Sequence, residues 1–156
     1  MNPGERAPDF ELPATGPAGS LANGKVKLAD FRDKKTVVLY FYPKDETPGC
    51  TIEACSFRDD YEDFAAAGAE VIGVSDDSVA SHEKFATHHK LPFVLATDEG
   101  GVLREKFGVK KTLGLLPGRV TFVFDKNGVC KSRFDSQLRV GKHVDDALAL
   151  VKKLAA

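Results

Sequence analysis

Cys50 and Cys55 are the two residues of this sequence best placed to do chemistry together. Cys50 follows Thr47, Pro48 and Gly49, where a buried strand is expected to give way to a helix, the usual position of sites in α/β sheets. With Thr47 as N-cap and Pro48 in the first helical position, Cys50 lies in the first turn, where unpaired N–H groups lower the pKa of a thiol. We therefore predict a reactive thiolate at Cys50; the alternative is a small buried core residue.

The spacing of the two cysteines sets a geometric condition on any bond between them. Ideal helix geometry separates their α-carbons by about 8.5 Å and by about 140° around the axis. A disulfide needs less than about 7 Å. If Cys50 and Cys55 bond during turnover, the first turns of the helix must therefore unwind in each cycle. The alternative is that Cys55 is a helix residue packed into the core.

The third cysteine and the four histidines do not follow a metal-binding pattern. Zinc sites use about four ligands at short spacings, and Cys130, His82, His88, His89 and His143 offer no such spacing. We predict that the histidines lie at the surface, that Cys130 is structural and that no metal is bound. Three cysteines are an odd number, which favours a reducing compartment with reactive thiols over a disulfide scaffold.

The hydrophobic pattern alternates between strands and helices. A continuous apolar run at Thr36 to Tyr42 predicts a central strand that is covered on both faces. The helix after it, with Phe57, Tyr61 and Phe64 on one face, is expected to stop at Gly68. Further strands are predicted at Glu70 to Val74 and Pro92 to Ala96, and further helices from Ser78 to about His89 and from Gly101 to Phe107.

The last third of the chain predicts a hairpin and a covering helix. Asn127 and Gly128 are a strong signal for a tight turn between antiparallel strands at Arg119 to Phe124 and Val129 to Phe134. Apolar residues at helical spacing predict a helix over Val140 to Leu154. Three βα units, a hairpin and a helix give an α/β fold: a mixed central sheet flanked by helices, on the plan of the thioredoxin fold with an N-terminal extension.

The composition is that of an ordinary globular protein. Of 156 residues, 42% are hydrophobic and 29% are charged, which predicts one domain over residues 1–156, with a loop at Ala14 to Gly24. The formal net charge of -1 gives no basic field for nucleic acid or an acidic membrane surface. No apolar run reaches the roughly 20 residues of a membrane span, and the N-terminus has no signal-peptide pattern. We expect neither nucleic acid nor a membrane as a partner.

Four short motifs give the sequence a resemblance to a known family. They are Ala7-Pro8-Asp9-Phe10, Tyr40-Phe41-Tyr42-Pro43, Thr47-Pro48-Gly49-Cys50-Thr51 and Leu116-Pro117-Gly118-Arg119. In this order, and over nearly the whole length, the chain resembles peroxiredoxin Q, also called bacterioferritin comigratory protein, an atypical two-cysteine peroxiredoxin. The resemblance implies a peroxidase that reduces hydrogen peroxide and organic hydroperoxides.

The resemblance also implies a role for each site residue. Cys50 would attack the peroxide and become a sulfenic acid, and Cys55 would then close an intramolecular disulfide with it. Thr47 would orient the peroxide and Pro43 would shield the pocket. Arg119, which keeps its proton at physiological pH, would stabilise both the Cys50 thiolate and the charge that develops on the peroxide.

Cofactor, partners and location follow from the same resemblance. Sulfur performs the chemistry, so no organic cofactor or metal is needed, and thioredoxin or a similar dithiol protein would reduce the disulfide. An intramolecular disulfide needs no partner subunit, so we expect a monomer. The stretch Gly68 to Ser75 and the region of Ser81 and His82 are closest to plastid members, which favours a chloroplast location, with the cytoplasm as the alternative. Glu53 matches a position that is usually acidic or an amide, and no role is assigned to it.

Two other functions use the same cysteines. A thiol–disulfide carrier of the thioredoxin class shares the fold but normally carries Cys-x-x-Cys, whereas four residues separate Cys50 from Cys55. A non-enzymatic redox sensor or holdase would use unwinding of the helix to expose a binding surface. That function leaves Thr47 and Arg119 without a purpose, and consumption of hydroperoxide separates a peroxidase from the carrier.

Overall fold

The computed structural model describes residues 1–114 and 116–156, and its elements follow the predicted alternation. The strands are β1 (Glu11–Thr15), β2 (Lys25–Lys27), β3 (Thr36–Phe41), β4 (Ala69–Ser75), β5 (Val94–Thr97), β6 (Val120–Phe124) and β7 (Cys130–Asp135). The helices are α1 (Pro48–Asp59), α2 (Tyr61–Ala66), α3 (Val79–His89), α4 (Val102–Lys106) and α5 (Val140–Ala155), with 3-10 turns at Leu28–Phe31 and Glu99–Gly101.

The strands form one mixed sheet in the order β2-β1-β5-β4-β3-β6-β7. Strands β3, β4 and β5 are parallel, and β6 runs antiparallel to β3 on its other side. The hairpin of β6 and β7 turns at Gly128, whose φ of 80° is one that glycine adopts without strain. The predicted α/β fold with a mixed central sheet flanked by helices is therefore confirmed.

Strand β3 lies at the centre because both of its faces are apolar. Val37, Leu39 and Phe41 point into one core cluster, and Val38 and Tyr40 point into the other. Side chains of α1, α2, α3 and α5 cover the second cluster, whereas the N-terminal segment and α4 cover the first. Alternate side chains on opposite faces of a fully buried strand are the reason for the continuous apolar run in the sequence.

Helix α1 begins where the sequence predicts, but its cap and its end differ from the prediction. Thr47 has the extended backbone of an N-cap, yet its hydroxyl donates to the carbonyl of Lys44 at 2.8 Å instead of capping the helix. The helical pattern that was expected to run to Gly68 breaks at Asp60, where α1 ends and α2 starts. Gly68, with a φ of 77°, follows the shorter second helix.

The N-terminal segment contains two strands that the sequence pattern does not indicate. Residues Ala14 and Thr15, at the start of the predicted loop, belong to β1 and pair antiparallel with β5. Strand β2 has three residues, and β1 carries Pro13, which removes a backbone donor. Both strands depend on pairing with distant parts of the chain, so local propensity gives little signal for them.

The prediction that all four histidines lie at the surface is wrong for two of them. His82 and His143 are fully buried, whereas His88 is largely exposed. Each buried ring has hydrogen-bond partners at both nitrogens, which offsets the cost of burying a polar group. Among residues 1–114 and 116–156, no helix is long and apolar enough to cross a membrane.

Candidate active site

Cys50 lies in the first turn of α1 and is almost completely buried. Arg119 immediately precedes β6, which pairs antiparallel with β3, so the start of β6 lies beside the end of β3. The chain passes from that end of β3 into α1, and this connection brings Arg119 to the cysteine. Arg119 Nη2 donates a hydrogen bond to Cys50 Sγ at 3.3 Å. The guanidinium is a fixed positive charge beside the sulfur, at the end of α1 where backbone N–H groups are unpaired.

Gly49 makes the approach of Arg119 possible. A β-carbon at this position would lie 3.1 Å from Arg119 Nη2, which is closer than ordinary van der Waals contact. A larger side chain at this position would push the Arg119 guanidinium away from Cys50. The glycine of the Thr47–Thr51 motif therefore serves the contact between the arginine and the cysteine.

Glu53 holds the other side of the same guanidinium. Arg119 Nη1 donates to Glu53 Oε1 at 2.7 Å, and both side chains are buried. Burial raises the pKa of Glu53 to about 7, although Arg119 opposes this shift. Glu53 is one turn after Cys50 on α1. By binding Nη1, it holds the guanidinium in the orientation in which Nη2 reaches the Cys50 sulfur.

We expect the stability of the protein to depend on the ionisation of Glu53. In the unfolded chain this carboxyl loses its proton near pH 4.5, whereas in the folded protein it does so near pH 7. Between these values the folded state binds more protons, so the contribution of Glu53 to the unfolding free energy falls as the pH rises from 4.5 to 7. The rise in pKa corresponds to about 3 kcal/mol, at about 1.4 kcal/mol per pKa unit.

Urea unfolding of the natural sequence and of Glu53→Gln across this pH range measures the effect. The informative quantity is the difference in unfolding free energy between the two proteins. Burial lowers the pKa of His143 to about 4, so the contribution of this group to stability rises with pH over part of the range, opposite to that of Glu53. The variant should gain stability relative to the natural sequence as the pH rises. A difference that does not change with pH would contradict the assignment.

His143 of α5 lies behind Glu53 as a neutral ring. Its Nε2 donates to the carbonyl of Ser136 at 2.7 Å, so Nδ1 accepts from the Thr121 hydroxyl at 2.8 Å. Nδ1 is 3.8 Å from Glu53 Oε2, which is within ion-pair distance, but the lowered pKa keeps the ring uncharged at neutral pH. Arg119 is thus the cation that neutralises Glu53.

Arg104 is a second buried arginine that the sequence analysis did not single out. Its Nη1 donates to the carbonyl of Gly118 at 2.7 Å and its Nη2 to the carbonyl of Tyr42 at 2.9 Å. These two carbonyls precede Arg119 and Pro43 respectively. Arg104 therefore fastens together the two chain segments that carry the site, and only the tertiary structure reveals the contact.

The loop between β3 and α1 is held by a buried hydrogen-bond network around Asp45. Its carboxylate accepts from the Tyr42 hydroxyl at 2.5 Å and from the Ser81 hydroxyl at 2.8 Å, and lies 2.8 Å from His82 Nδ1. His82 Nε2 is 3.1 Å from the carbonyl of Ala96, to which it donates. The network connects the loop to α3 and β5 and so fixes the position of the residues on either side of Asp45.

The other predicted site residues lie around Cys50 with different degrees of exposure. Pro43 and Thr47 are partly exposed in the loop before α1, and Cys55 is partly exposed on α1. Cys130 belongs to the core cluster on the opposite face of the sheet from Cys50, and burial raises the pKa of its thiol. The structure therefore brings Cys50 and Arg119 into contact and leaves Cys130 on the far side of the sheet.

Comparison with known proteins places the chain in a family. The model of the AhpC/TSA family matches residues 3–133. The chain belongs to the AhpC/TSA family. It is 51% identical to chloroplastic peroxiredoxin Q of Arabidopsis thaliana over 153 residues, which cover 97% of this chain and 68% of the relative. The resemblance to peroxiredoxin Q found in the sequence motifs is thereby confirmed.

Two solved peroxiredoxin structures share the fold over nearly the whole chain. A peroxidoxin from Mycobacterium tuberculosis is 36% identical, has a TM-score of 0.86, and is matched over 98% of this chain and 97% of its own. A bacterioferritin comigratory protein of Xanthomonas campestris, studied for alkyl peroxide reduction with trapped intermediates, is 31% identical. Its TM-score is 0.82, and the match covers 94% of this chain and 92% of its own. The predicted thioredoxin-like fold of a peroxiredoxin is confirmed.

Proposed function

We propose that Cys50 is the peroxidatic nucleophile and Cys55 the resolving thiol of this enzyme. As a member of the family with relatives of this kind, the chain is a thiol-dependent peroxidase. The observation that supports the assignment of Cys50 is the 3.3 Å hydrogen bond from Arg119 to a sulfur buried at the start of α1. A cation there stabilises the negative charge that forms on the peroxide oxygens during attack by the sulfur.

The proposed reaction has three steps. The Cys50 thiolate attacks the distal peroxide oxygen, the O–O bond breaks, and the leaving oxygen takes a proton and departs as water or an alcohol. The resulting Cys50 sulfenic acid is then attacked by the Cys55 thiol, which displaces water and forms the disulfide. A dithiol protein finally reduces the disulfide by exchange and is itself oxidised.

Thr47 and Pro43 prepare the space above the sulfur in this proposal. The Thr47 hydroxyl donates to the Lys44 carbonyl, which leaves its oxygen free to accept a hydrogen bond from a hydroperoxide proton. Pro43 has no N–H and is partly buried, so it offers an apolar wall that limits access of water. Hydrogen peroxide and organic hydroperoxides are the proposed substrates, in keeping with the alkyl peroxide chemistry named for the Xanthomonas campestris relative.

Formation of the disulfide should unwind the first turns of α1. In the reduced protein both cysteines lie in one continuous helix, where residues five apart are about 8.5 Å apart, too far for a bond. Amide hydrogen exchange should therefore show protection at residues 51–55 in the reduced protein and its loss after oxidation, with β4 unchanged as the internal control. Equal protection in both states would contradict a bond between these cysteines.

The proposed partner is thioredoxin or a similar dithiol protein, which could reach the partly exposed Cys55 once α1 has opened. We propose that the chain acts as a monomer formed by one domain over residues 1–156, because both reacting thiols are in the same helix. We propose no nucleic-acid partner, since the net charge is -1. A chloroplast location is supported by the chloroplastic relatives, with the cytoplasm as the alternative.

Hydroperoxide consumption with thioredoxin, its reductase and a nicotinamide electron donor tests the proposed function. Continuous turnover with hydrogen peroxide and with an organic hydroperoxide is the expected result. In a separate assay with dithiothreitol as the electron donor and no thioredoxin, the protein should not accelerate the reduction of insulin disulfides. Reduction of insulin without consumption of peroxide would instead identify a thiol–disulfide carrier, and failure in both assays would favour the sensor.

A further inference from the structure

Three side chains with metal-binding atoms meet beside the loop that precedes α1. His88 Nδ1 is 2.9 Å from one carboxylate oxygen of Glu46, and His89 Nε2 is 2.7 Å from the other. The two imidazole rings are 4.2 Å apart between their centroids. One carboxylate thus faces two ring nitrogens from different directions, and the three potential ligand atoms lie within 4.8 Å of one another.

The three residues come from segments that the fold holds in place. His88 and His89 form the last turn of α3, and Lys90 then turns the chain away with a left-handed φ of 53°. The C-terminal end of a helix carries a partial negative charge that favours a cation. Glu46 follows the firmly bound Asp45, and its own left-handed φ of 63° aims its side chain toward α3. Arg58 donates to the main-chain carbonyl of His89, not to its imidazole.

The chemistry of the three groups suits a divalent transition metal. Imidazole nitrogen and carboxylate oxygen bind zinc at about 2.0–2.2 Å, so tetrahedral ligands lie about 3.3 Å apart. The contacts of 2.7 and 2.9 Å would need to widen by about half an ångström, which exposed side chains can do.

A second cluster of carboxylates and histidine is less suited to binding a metal ion. Asp45, Asp77 and His82 also bring their polar atoms close together. Their atoms are engaged in hydrogen bonds with one another and with neighbouring groups, and Asp45 and His82 are buried. A metal ion there would have to break this network, whereas Glu46 and His88 are exposed and His89 is partly exposed, so water can complete the coordination at the first site.

We propose that Glu46, His88 and His89 form a binding site for one divalent transition-metal ion that prefers imidazole ligands, with Zn²⁺ as the probe. The bound ion would fasten the loop carrying Thr47 to the C-terminal end of α3. This site stands independently of the proposed peroxidase function, because its ligands are separate from Cys50 and Arg119.

A competition titration of Zn²⁺ against a chromophoric chelator tests the site in the full chain. The protein should carry Cys50→Ser and Cys55→Ser, since thiolates bind zinc themselves and Cys130 is fully buried. One Zn²⁺ per chain is expected, and His88→Gln, His89→Gln or Glu46→Gln should each weaken binding at least about tenfold. Glu62→Gln, which changes an exposed carboxylate on α2, is the matched control and should leave the affinity unchanged.

The histidine ring resonances provide an independent readout. Zn²⁺ should shift the signals of His88 and His89 and leave those of the buried His82 and His143 in place. Circular dichroism of each variant establishes that it is folded, as expected for changes at exposed side chains. Zinc binding that is unchanged in His88→Gln and His89→Gln, or the absence of binding to the protein that lacks the Cys50 and Cys55 thiols, would overturn the proposal.

Discussion

Cys50→Ser is expected to reduce peroxide consumption by at least about a thousandfold, equivalent to about 4 kcal/mol in the activation free energy. The hydroxyl of serine keeps its proton at neutral pH, and an Arg119 hydrogen bond does not generate an alkoxide, so the attacking anion is lost. The fold should be retained, because sulfur and oxygen differ little in size. The measurement is the initial rate with excess reductant.

Cys130→Ser provides the matched control for this prediction. Cys130 lies in the core cluster on the opposite face of the sheet, so its replacement should leave the rate of peroxide consumption close to that of the natural sequence. Some loss of stability is expected, because a buried thiol is replaced by a more polar group. If Cys130→Ser abolished activity and Cys50→Ser did not, the assignment of the nucleophile would be wrong.

Arg119→Met should have the second largest effect, on both activity and stability. Loss of the guanidinium removes the group that donates to Cys50 and that would stabilise the charge developing on the peroxide. Removal of such a donor typically lowers the rate by about 10²–10³. It also leaves Glu53 buried without its partner. Breaking a buried ion pair from one side costs about 3–5 kcal/mol, and because Glu53 can take up a proton, the cost should be smaller below pH 7.

The double variant Arg119→Met with Glu53→Gln separates these two effects. Replacing the carboxylate by an amide removes the unpaired charge, so the stability lost above pH 7 should largely return. The rate of peroxide consumption should stay low, since Cys50 still lacks its cation. Recovery of activity together with stability would mean that Arg119 supports the fold and takes no direct part in the chemistry.

The position of Cys50 in the first turn of α1 could be predicted because local sequence rules determine it. The apolar run before Pro43, the proline in the first helical position and the glycine before Cys50 each have a local meaning, and the structure places α1 accordingly. Arg119 precedes a hairpin whose Asn127-Gly128 turn is equally local. Sequence reasoning therefore predicted the elements that meet at the site.

The groups that support the site could not be predicted, because they act across long separations in the chain. Glu53 is followed by 65 residues before its partner Arg119, and Arg104 binds carbonyls on two other segments. His82 and His143 are buried because Asp45 and Thr121 meet them in the folded chain. The sequence around a histidine does not indicate whether a partner from a distant segment will meet it in the fold. The prediction that His82 and His143 lie at the surface was wrong for this reason.

Single-turnover reaction of the reduced protein with hydrogen peroxide, followed by peptide mapping of the disulfide, tests the central claim most directly. The account predicts that one equivalent of peroxide is consumed rapidly and that the product is a bond between Cys50 and Cys55 within one chain. If peroxide is ignored, or if Cys130 or a second chain takes the bond, the proposed two-cysteine mechanism is contradicted.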